Sequence, residues 1–414
     1  MCQADGLFKA GRRPGLGETL VSCQHPTEIL KLQQRGDTVQ QILISSHEQR
    51  LRQISLARQA VIDEGQPAEP LLSAAWIERS WRRCLARGQR PQQPIVFDTI
   101  AAQTLRRTQD EHHALVSAAR EVLEQLGRAI ANTRYFAVLT SAQGVVIDVA
   151  GRIDRSDRRA DLITRIGTDL SEQSVGTTAI SAALTELQPV WLHRGEHFFG
   201  ATSVYSCAGA PLFDPDGRCT GMLDLTGIEA QERPELTHLA AQSALRIENA
   251  LLLARSHNLL LRLNWPGHPL GFDGDGLIAL DADGCVVGAN QTARRLVPQL
   301  APPHPATPHV GDLFGFAYQR LFDAARQHAG PFEVPLWSGL RLNALTLPGS
   351  DAATAAAPTG RVETDRPLRE VEDALIRRAV DAARGNVAQA ARALGISRAT
   401  VYRKLQQQNR PEPR

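Results

Sequence analysis

Residues 385–405 read GNVAQAARALGISRATVYRKL and lie close to the end of a chain of 414 residues. The small side chain of Ala390 suits a close crossing of two helices, and Gly395 permits the tight turn between them. Ser397 is a favourable N-cap for the helix that follows. With a further amphipathic helix over 367–384, this spacing predicts an all-α helix-turn-helix.

The outward face of the last predicted helix carries polar and basic side chains. Arginine can bind O6 and N7 of guanine with two hydrogen bonds, and serine and threonine can bind a base edge or a phosphate. Residues 367–414 hold ten Lys and Arg against five Asp and Glu, a net charge of +5, whereas the whole chain carries +2. This local charge suits DNA phosphates better than the alternative, a helical hairpin with a solvated arginine-rich face. The predicted DNA-contacting residues are Ser397, Arg398, Thr400, Arg403 and Lys404.

The composition is typical of a soluble protein with several domains. The length predicts about two to four domains, and the hydrophobic fraction of 43% is ordinary. No apolar stretch is long enough to span a bilayer, and the first residues lack the apolar core of a signal peptide. The cysteines are scattered without a CxxC pair, which predicts free thiols. We therefore expect a cytoplasmic location and no membrane partner.

Two regions before the helix-turn-helix have mixed helical and strand patterns. In the first, a helix that begins near Pro234 carries an apolar stripe suited either to the domain core or to a dimer seam. Helices beside a largely antiparallel sheet predict an α+β sensor-like domain. In the second region, a helix follows Asn290. The predicted strands cover 136–140, 145–149, 189–192, 207–213 and 220–226 in the first region, and 276–280, 285–288 and two segments within 331–347 in the second.

The polar stretch Asp169–Thr178 and the aromatic residues that follow it suggest a small-molecule pocket. Such pockets have mostly apolar walls and a few polar groups that orient the ligand. The alternative is a polar loop that leads into the next helix, and the sequence favours neither interpretation. The candidate ligand-binding residues are Ser174, Thr177, Trp191, His193, His197, Phe198 and Cys207.

Three of these residues have a second interpretation. His193 and His197 are four residues apart, a spacing that on a helix brings two metal ligands to one face. The segment follows a predicted strand and lacks the HExxH order, so we expect a capped loop and no metal. Cys207 near a histidine suggests a redox-sensing thiol, whereas its small neighbours favour an ordinary core residue.

Several motifs resemble the GAF sensor region of the activators of acetoin and glycerol catabolism. They are IERSWRRC at 77–84, DLSEQSVGTTAI at 169–180, EHF at 196–198, SCAGAPLFDPDG at 206–217 and GMLDLTG at 221–227. The strand, turn and helix pattern from residue 276 resembles the start of a PAS domain.

The C-terminal stretch resembles the Fis-type helix-turn-helix, a dimerising module. The resemblance implies that Ser397, Arg398, Thr400 and Arg403 occupy DNA-contacting positions. Tyr402 stands where a basic residue is common, so that contact is not carried over.

The resembled activators usually carry an ATPase between the sensor and the helix-turn-helix. That domain contains a GxxxxGK[ST] phosphate loop and a GAFTGA element that engages sigma-54. Neither element occurs in this sequence, and residues 261–366 are too few for such a domain. We therefore expect no ATP hydrolysis, no sigma-54 remodelling, no catalytic residues and no cofactor.

The sequence predicts an α+β multidomain chain with a terminal all-α module. The expected organisation is a flexible leader at 1–47, a helical region at 48–130, a GAF-like sensor domain at 131–262, a PAS-like domain at 270–348, a linker at 349–366 and the helix-turn-helix at 367–410.

This organisation predicts a bacterial, sequence-specific DNA-binding transcriptional regulator whose sensor responds to a small metabolite or a partner. The expected partners are double-stranded DNA, a second copy of the chain, a small-molecule effector, and RNA polymerase or a related full-length regulator. The alternatives are a small-molecule-binding or redox-sensing protein with an incidental helical tail, and an architectural DNA-binding protein.

Overall fold

The computed structural model describes residues 48–67, 69, 74–301, 308–350 and 387. The chain divides into two compact units, residues 1–349 and 350–414. The predicted leader, most of the predicted linker and the predicted DNA-contacting side chains lie outside the described residues.

The first part of the chain is helical and leads to a five-stranded antiparallel sheet. Residues 48–58 are helical and continue into a π-helical turn at Gln59–Asp63. The helices that follow are α1 (Ala75–Ala86), α2 (Ala102–Glu111) and α3 (His113–Ala129). The sheet has the order β2-β1-β5-β4-β3. Its strands are β1 (Tyr135–Ser141), β2 (Val146–Ala150), β3 (Val190–His193), β4 (Tyr205–Phe213) and β5 (Cys219–Ile228).

Short helices connect these strands, and a long helix follows them. They are α4 (Arg158–Ile163), α5 (Glu172–Val175), α6 (Ala179–Glu186) and α7 (Leu236–Leu253). Thr178 caps α6 by accepting a hydrogen bond from the Ser181 backbone N–H. The five strands lie where the apolar alternation predicts them, to within two residues at each end.

Both faces of the first sheet are covered. Alternate residues along β4 and β5 point to opposite faces, as the pleat requires. On one face, α3 and α7 pack over a core that includes Leu139, Ala208 and Leu223. On the other face, α6 packs over a core that includes Val138 and Met222. The stripe on α7 is therefore part of an intramolecular core, where Leu236, Ala240, Ala244 and Ile247 are buried.

A second five-stranded antiparallel sheet follows, with the order β8-β7-β6-β10-β9. Its strands are β6 (Leu259–Asn264), β7 (Gly276–Leu280), β8 (Val286–Ala289), β9 (Phe332–Pro335) and β10 (Arg341–Pro348). Three helices accompany it: α8 (Gln291–Leu296), α9 (Val310–Leu313) and α10 (Gln319–Arg326). The α+β class is confirmed. Strand β6 was not predicted, because a short run of leucines does not distinguish a strand from the end of a helix.

The β4–β5 turn, Asp214–Gly217, contacts the second sheet. The Ala289 backbone N–H and the Arg294 guanidinium donate to the Pro215 carbonyl oxygen at 3.0 and 2.6 Å. Arg255 makes two hydrogen bonds to the Asp216 carboxylate, at 2.8 and 2.7 Å, and one to the Val287 carbonyl oxygen. The two sheets are thus joined by hydrogen bonds to the turn.

The described part of the chain contains no helix that combines the length and apolar character needed to cross a membrane.

A close approach between β1 and β5 predicts a stability defect. Gly221 lies opposite Ser141 in the β1–β5 pairing, and a Cβ atom there would clash with the Thr140 backbone carbonyl oxygen. Because a strand backbone cannot move aside cheaply, we expect Gly221→Ala to lower the free energy of unfolding by about 1–3 kcal/mol. Thermal unfolding measures the change. Gly330→Ala, which has no atom within 4 Å of its added Cβ, is the control, and equal melting temperatures for both variants would contradict the prediction.

Candidate ligand-binding site

A cavity lies between the sheet face formed by β4 and β5 and helix α6. Its volume is about 30 Å³. That is room for one or two water molecules. The lining residues are mostly apolar, with a small polar group on one side: Phe97, Val138, Ile163, Leu170, Val175, Thr178, Ala179, Ile180, His197, Thr202, Tyr205, Cys207, Asp224 and Thr226.

The polar group is centred on Asp224 of β5. Asp224 and Thr226 are two residues apart, so the pleat places both on the cavity face. The Thr226 hydroxyl donates to Asp224 Oδ2 and lies 3.5 Å from Cys207 Sγ on β4, where Cys207 and Thr226 are register partners. Burial raises the pKa of Asp224 to about 7, and the hydrogen bonds from Thr226 and Cys207 only partly offset this. Asp224 Oδ1 is buried and has no hydrogen-bond partner among the described residues.

His197 supplies a second buried polar atom to the cavity. Its Nδ1 lies 3.0 Å from the Arg194 carbonyl oxygen. A carbonyl oxygen only accepts, so Nδ1 carries the proton. Burial lowers the pKa of His197 to about 4, so the ring is neutral at pH 7 and Nε2 is an acceptor. Nε2 has no hydrogen-bond partner within the described ranges.

The turn that carries His197 is held by the N-terminal helical region. Arg58 donates to the backbone carbonyl oxygens of Gly195, His197 and Phe198 at 2.7, 2.6 and 2.9 Å. The indole N–H of Trp81 donates to the Glu196 carbonyl oxygen at 2.9 Å. These bonds fix the backbone on both sides of the histidine and thereby its orientation toward the cavity.

Helix α1 also holds the segment before α6. The Ser80 hydroxyl donates to Glu172 at 2.6 Å, and Arg83 binds both oxygens of the same carboxylate. Arg87 adds a bond of 2.7 Å. Burial alone would raise the pKa of Glu172, but the hydrogen bonds from Arg83, Ser80 and Arg87 outweigh it and lower the pKa. The IERSWRRC motif is therefore the part of α1 that binds the DLSEQSVGTTAI segment.

Of the seven predicted ligand-binding residues, His197 and Cys207 line the cavity. Ser174 donates to Asp169 at 2.6 Å, and Thr177 is bonded to Ser80 at 2.7 Å. Phe198 packs with Trp81 in a separate cluster. Thr177 and Phe198 thus contact side chains of α1, whereas Ser174 is bonded within its own loop.

Trp191 and His193 lie on the opposite face of the sheet from Cys207. Trp191 pairs with Ala208 and packs against the α3–α7 core, and its ring stacks on His193 with centroids 6.2 Å apart. His193 Nδ1 lies 2.8 Å from the Ser206 hydroxyl. Among the described residues, no group of three or more His, Cys, Asp or Glu is arranged to hold a metal ion.

Thr178 lies at the end of the polar stretch that was predicted to line a pocket. The other polar residues of the cavity, apart from His197 and Cys207, were not predicted: they are Thr202, Tyr205, Asp224 and Thr226. The sequence did contain a signal for Asp224 and Thr226. The segment 222–226 reads MLDLT, which places a carboxylate and a hydroxyl at alternate positions in an otherwise apolar strand. Charged residues are rarely fully buried, so this pattern marks a site.

Cys207 has the chemistry of a core thiol. Burial raises the pKa of its thiol well above 9, and the neighbouring Asp224 raises it further. Oxidation by peroxide proceeds through the thiolate, which this environment disfavours. The structure therefore favours the core interpretation of Cys207 over the redox-sensing one.

The raised pKa of Asp224 predicts a pH-dependent effect of Asp224→Asn. The pKa of Asp224 is about 7 in the folded state and near the ordinary value of 3.8 in the unfolded state. Between about pH 4 and 7, the carboxyl is therefore protonated in the folded state and ionised in the unfolded state. The free energy of unfolding therefore falls as the pH rises through that range, by about 1.4 kcal/mol for each pH unit. Asparagine cannot ionise, so we expect the melting temperature of the variant relative to the wild type to increase from pH 5 to pH 8.

Other groups that titrate near this window, including His197 and the buried Glu196, are present in both proteins and cancel in the comparison. Asp110→Asn at an exposed position of α2 is the control. A difference in melting temperature that is the same at both pH values would show that Asp224 is ionised throughout.

Two family models match the chain in separate segments. Residues 57–249 match the model described as MimR, N-terminal domain, and residues 367–407 match the Fis family of bacterial regulatory proteins. The first match includes the cavity, and the second includes the predicted helix-turn-helix.

Three transcriptional regulators are similar to the chain. The acetoin catabolism regulatory protein of Cupriavidus necator is 31% identical over 290 residues, which is 68% of this chain and 42% of that protein. The propane 2-monooxygenase operon transcriptional activator MimR of Mycolicibacterium goodii is 30% identical over 179 residues, 41% of this chain and 31% of that protein. The acetoin dehydrogenase operon transcriptional activator AcoR of Bacillus subtilis is 28% identical over 176 residues, which is 42% of this chain and 29% of that protein.

The chain spans less than half the length of these relatives. The region between its two family matches contains the whole second sheet. With a MimR-type N-terminal domain and a Fis-type helix-turn-helix, the chain belongs to the family of the acetoin-catabolism and MimR regulators.

Proposed function

We propose that this protein is a sequence-specific DNA-binding transcriptional regulator whose sensor domain binds a small molecule in the Asp224–His197 cavity. The observation that carries the proposal is the joining of the two family matches in one chain. In a chain that joins a sensor cavity to a helix-turn-helix, ligand binding in the cavity would change the affinity of the protein for DNA.

The DNA-contacting surface is proposed to be the outward face of the third helix of the helix-turn-helix. Arg398 and Arg403 would bind guanine edges or phosphates, and Ser397, Thr400 and Lys404 would add base or phosphate contacts. Each lost base contact should cost about 1–3 kcal/mol. The net charge of +5 over 367–414 supports this assignment.

Control by the effector is proposed to act through a homodimer. Two recognition helices must enter successive major grooves about 34 Å apart. An effector that binds one dimer geometry more tightly shifts the population toward it by its difference in affinity. The protein would act without catalysis, at the chromosome in the cytoplasm, together with RNA polymerase or with a related full-length regulator.

The relatives suggest the kind of genes under control. Their names refer to acetoin catabolism and to a propane 2-monooxygenase operon. By analogy, this chain would regulate genes for the breakdown of a small organic compound, and the compound or a product of it would be the effector.

A double substitution in the recognition helix tests this function. DNA that the full-length protein selects from a random pool provides the probe for a gel-shift at fixed salt. We expect Arg398→Ala with Arg403→Ala to weaken binding to the selected DNA by at least tenfold, since two charged contacts are lost.

Arg410→Ala, outside the Fis-family match, is the matched control and should bind nearly as the wild type. Selection of no common sequence would favour an architectural DNA-binding protein. Unchanged retention of selected DNA by the double variant would favour a sensor whose helical tail does not read DNA.

A further inference from the structure

A groove lies on the face of the first sheet opposite the Asp224–His197 cavity. Its walls are strand β4, helix α7 and helix α8, which accompanies the second sheet, and its volume is about 210 Å³. We infer that this groove binds a compact organic acid, with the apolar body of the ligand against Leu187 and Phe213 and its carboxylate on Arg295. The groove is a second site, so the inference does not depend on what the Asp224–His197 cavity binds.

The floor of the groove is apolar and large enough for a ring. It includes Ala210 and Phe213 of β4 and Leu245 of α7. Ala210 belongs to the core beneath α3 and α7, which places the groove on that side of the sheet. An apolar cavity of about 150 Å³ holds benzene, so the groove accommodates a benzene ring together with a carboxylate.

Leu187 borders the groove at the end of α6. Its backbone is left-handed, with φ of 51°, a conformation that favours glycine or asparagine at the end of a helix. Its side chain is 49% exposed. Leucine at this position costs backbone strain and leaves apolar area in water, and a ligand in the groove would cover that area. Leu187 therefore contributes more to a bound ligand than to the stability of the fold.

Arg295 supplies a cation to the groove. It lies on α8, is exposed, and forms no ion pair with any of the described residues. Gln291 and Thr292 of the same helix add an amide and a hydroxyl to the lining. A guanidinium binds a carboxylate through two parallel charge-assisted hydrogen bonds, whereas its bonds to a neutral ligand are weaker.

Glu248 fixes the spacing of the groove walls. Its buried carboxyl accepts backbone hydrogen bonds from Phe213, at 3.1 Å, and from Gln291, and so joins β4 to α8. Burial raises the pKa of Glu248 to about 7, although these bonds and the nearby Arg295 act to lower it. Below that pH the carboxyl is mostly protonated and does not repel a bound anion.

Calorimetry on the full-length protein without DNA tests the chemistry of the ligand, at pH 6, where Glu248 is mostly protonated. The probes are benzoate; benzamide, which keeps the ring and lacks the charge; and acetate, which keeps the carboxylate and lacks the ring. We expect benzoate to bind at least fivefold more tightly than either of the others, because only benzoate uses both the cation and the apolar floor. Since Arg295 is exposed, added salt should weaken benzoate binding and leave benzamide binding unchanged.

Two variants test the assignment of the site. Arg295→Gln removes the cation, so it should weaken benzoate at least fivefold and leave benzamide unchanged. Leu187→Gly removes apolar contact area and should weaken benzoate and benzamide alike, by about threefold. Its melting temperature should not fall below that of the wild type, because glycine suits the left-handed backbone. Arg106→Gln, at an exposed position of α2, is the matched control and should bind all three probes as the wild type does.

Equal binding of benzoate and benzamide, equal binding of benzoate and acetate, or no binding of benzoate in the millimolar range would each overturn the inference. A benzoate affinity that either variant leaves unchanged would also overturn it, since the ligand would then occupy another site. If Leu187→Gly is less stable than the wild type, Arg295→Gln and the salt dependence decide. These results are separate from the gel-shift, which tests DNA binding by the helix-turn-helix.

Discussion

The geometry of the cavity depends on the Arg58 guanidinium, which binds three backbone carbonyl oxygens of the 195–198 turn. This cation is half-buried, so its hydrogen bonds must replace part of its hydration. They do so only if the turn keeps one conformation. The residue that this turn presents to the cavity is His197. An element far from the sheet in sequence therefore determines which atom of the cavity wall is a hydrogen-bond acceptor.

Much of the fold was predictable because it follows from local periodicity. Alternation located the five strands of the first sheet, and the helix-turn-helix spacing was readable from a few small and capping residues. The site was less predictable. Trp191 and His193 were grouped with Cys207, but the face on which a strand residue lies depends on register, and a slip of one residue reverses it. Asp224 was missed although the sequence shows a carboxylate and a hydroxyl alternating with apolar residues, because alternation alone does not show which face of a strand lines a cavity.

The sensor domain includes groups that oppose its own stability. Burial raises the pKa of Asp224, Glu196 and Glu248 to about 7, which means that the folded state holds these carboxyls in an environment less favourable to their charged form than water. A core selected for stability alone would contain apolar residues of similar volume. Glu196 and Glu248 accept backbone hydrogen bonds from His193 and Phe213 and so serve the fold. Asp224 has no such structural bond to backbone, which is consistent with a role in ligand recognition.

The β4–β5 turn has a consequence for how this protein can vary. Hairpin turns usually face solvent and tolerate insertions between homologues. Here Pro215 and Asp216 are held by Ala289, Arg294 and Arg255, so an added residue would disrupt the neighbouring sheet. The MimR-type match ends at residue 249, inside α7. A fragment cut there would lose the end of that helix and the cover of the turn, whereas the compact unit continues to residue 349.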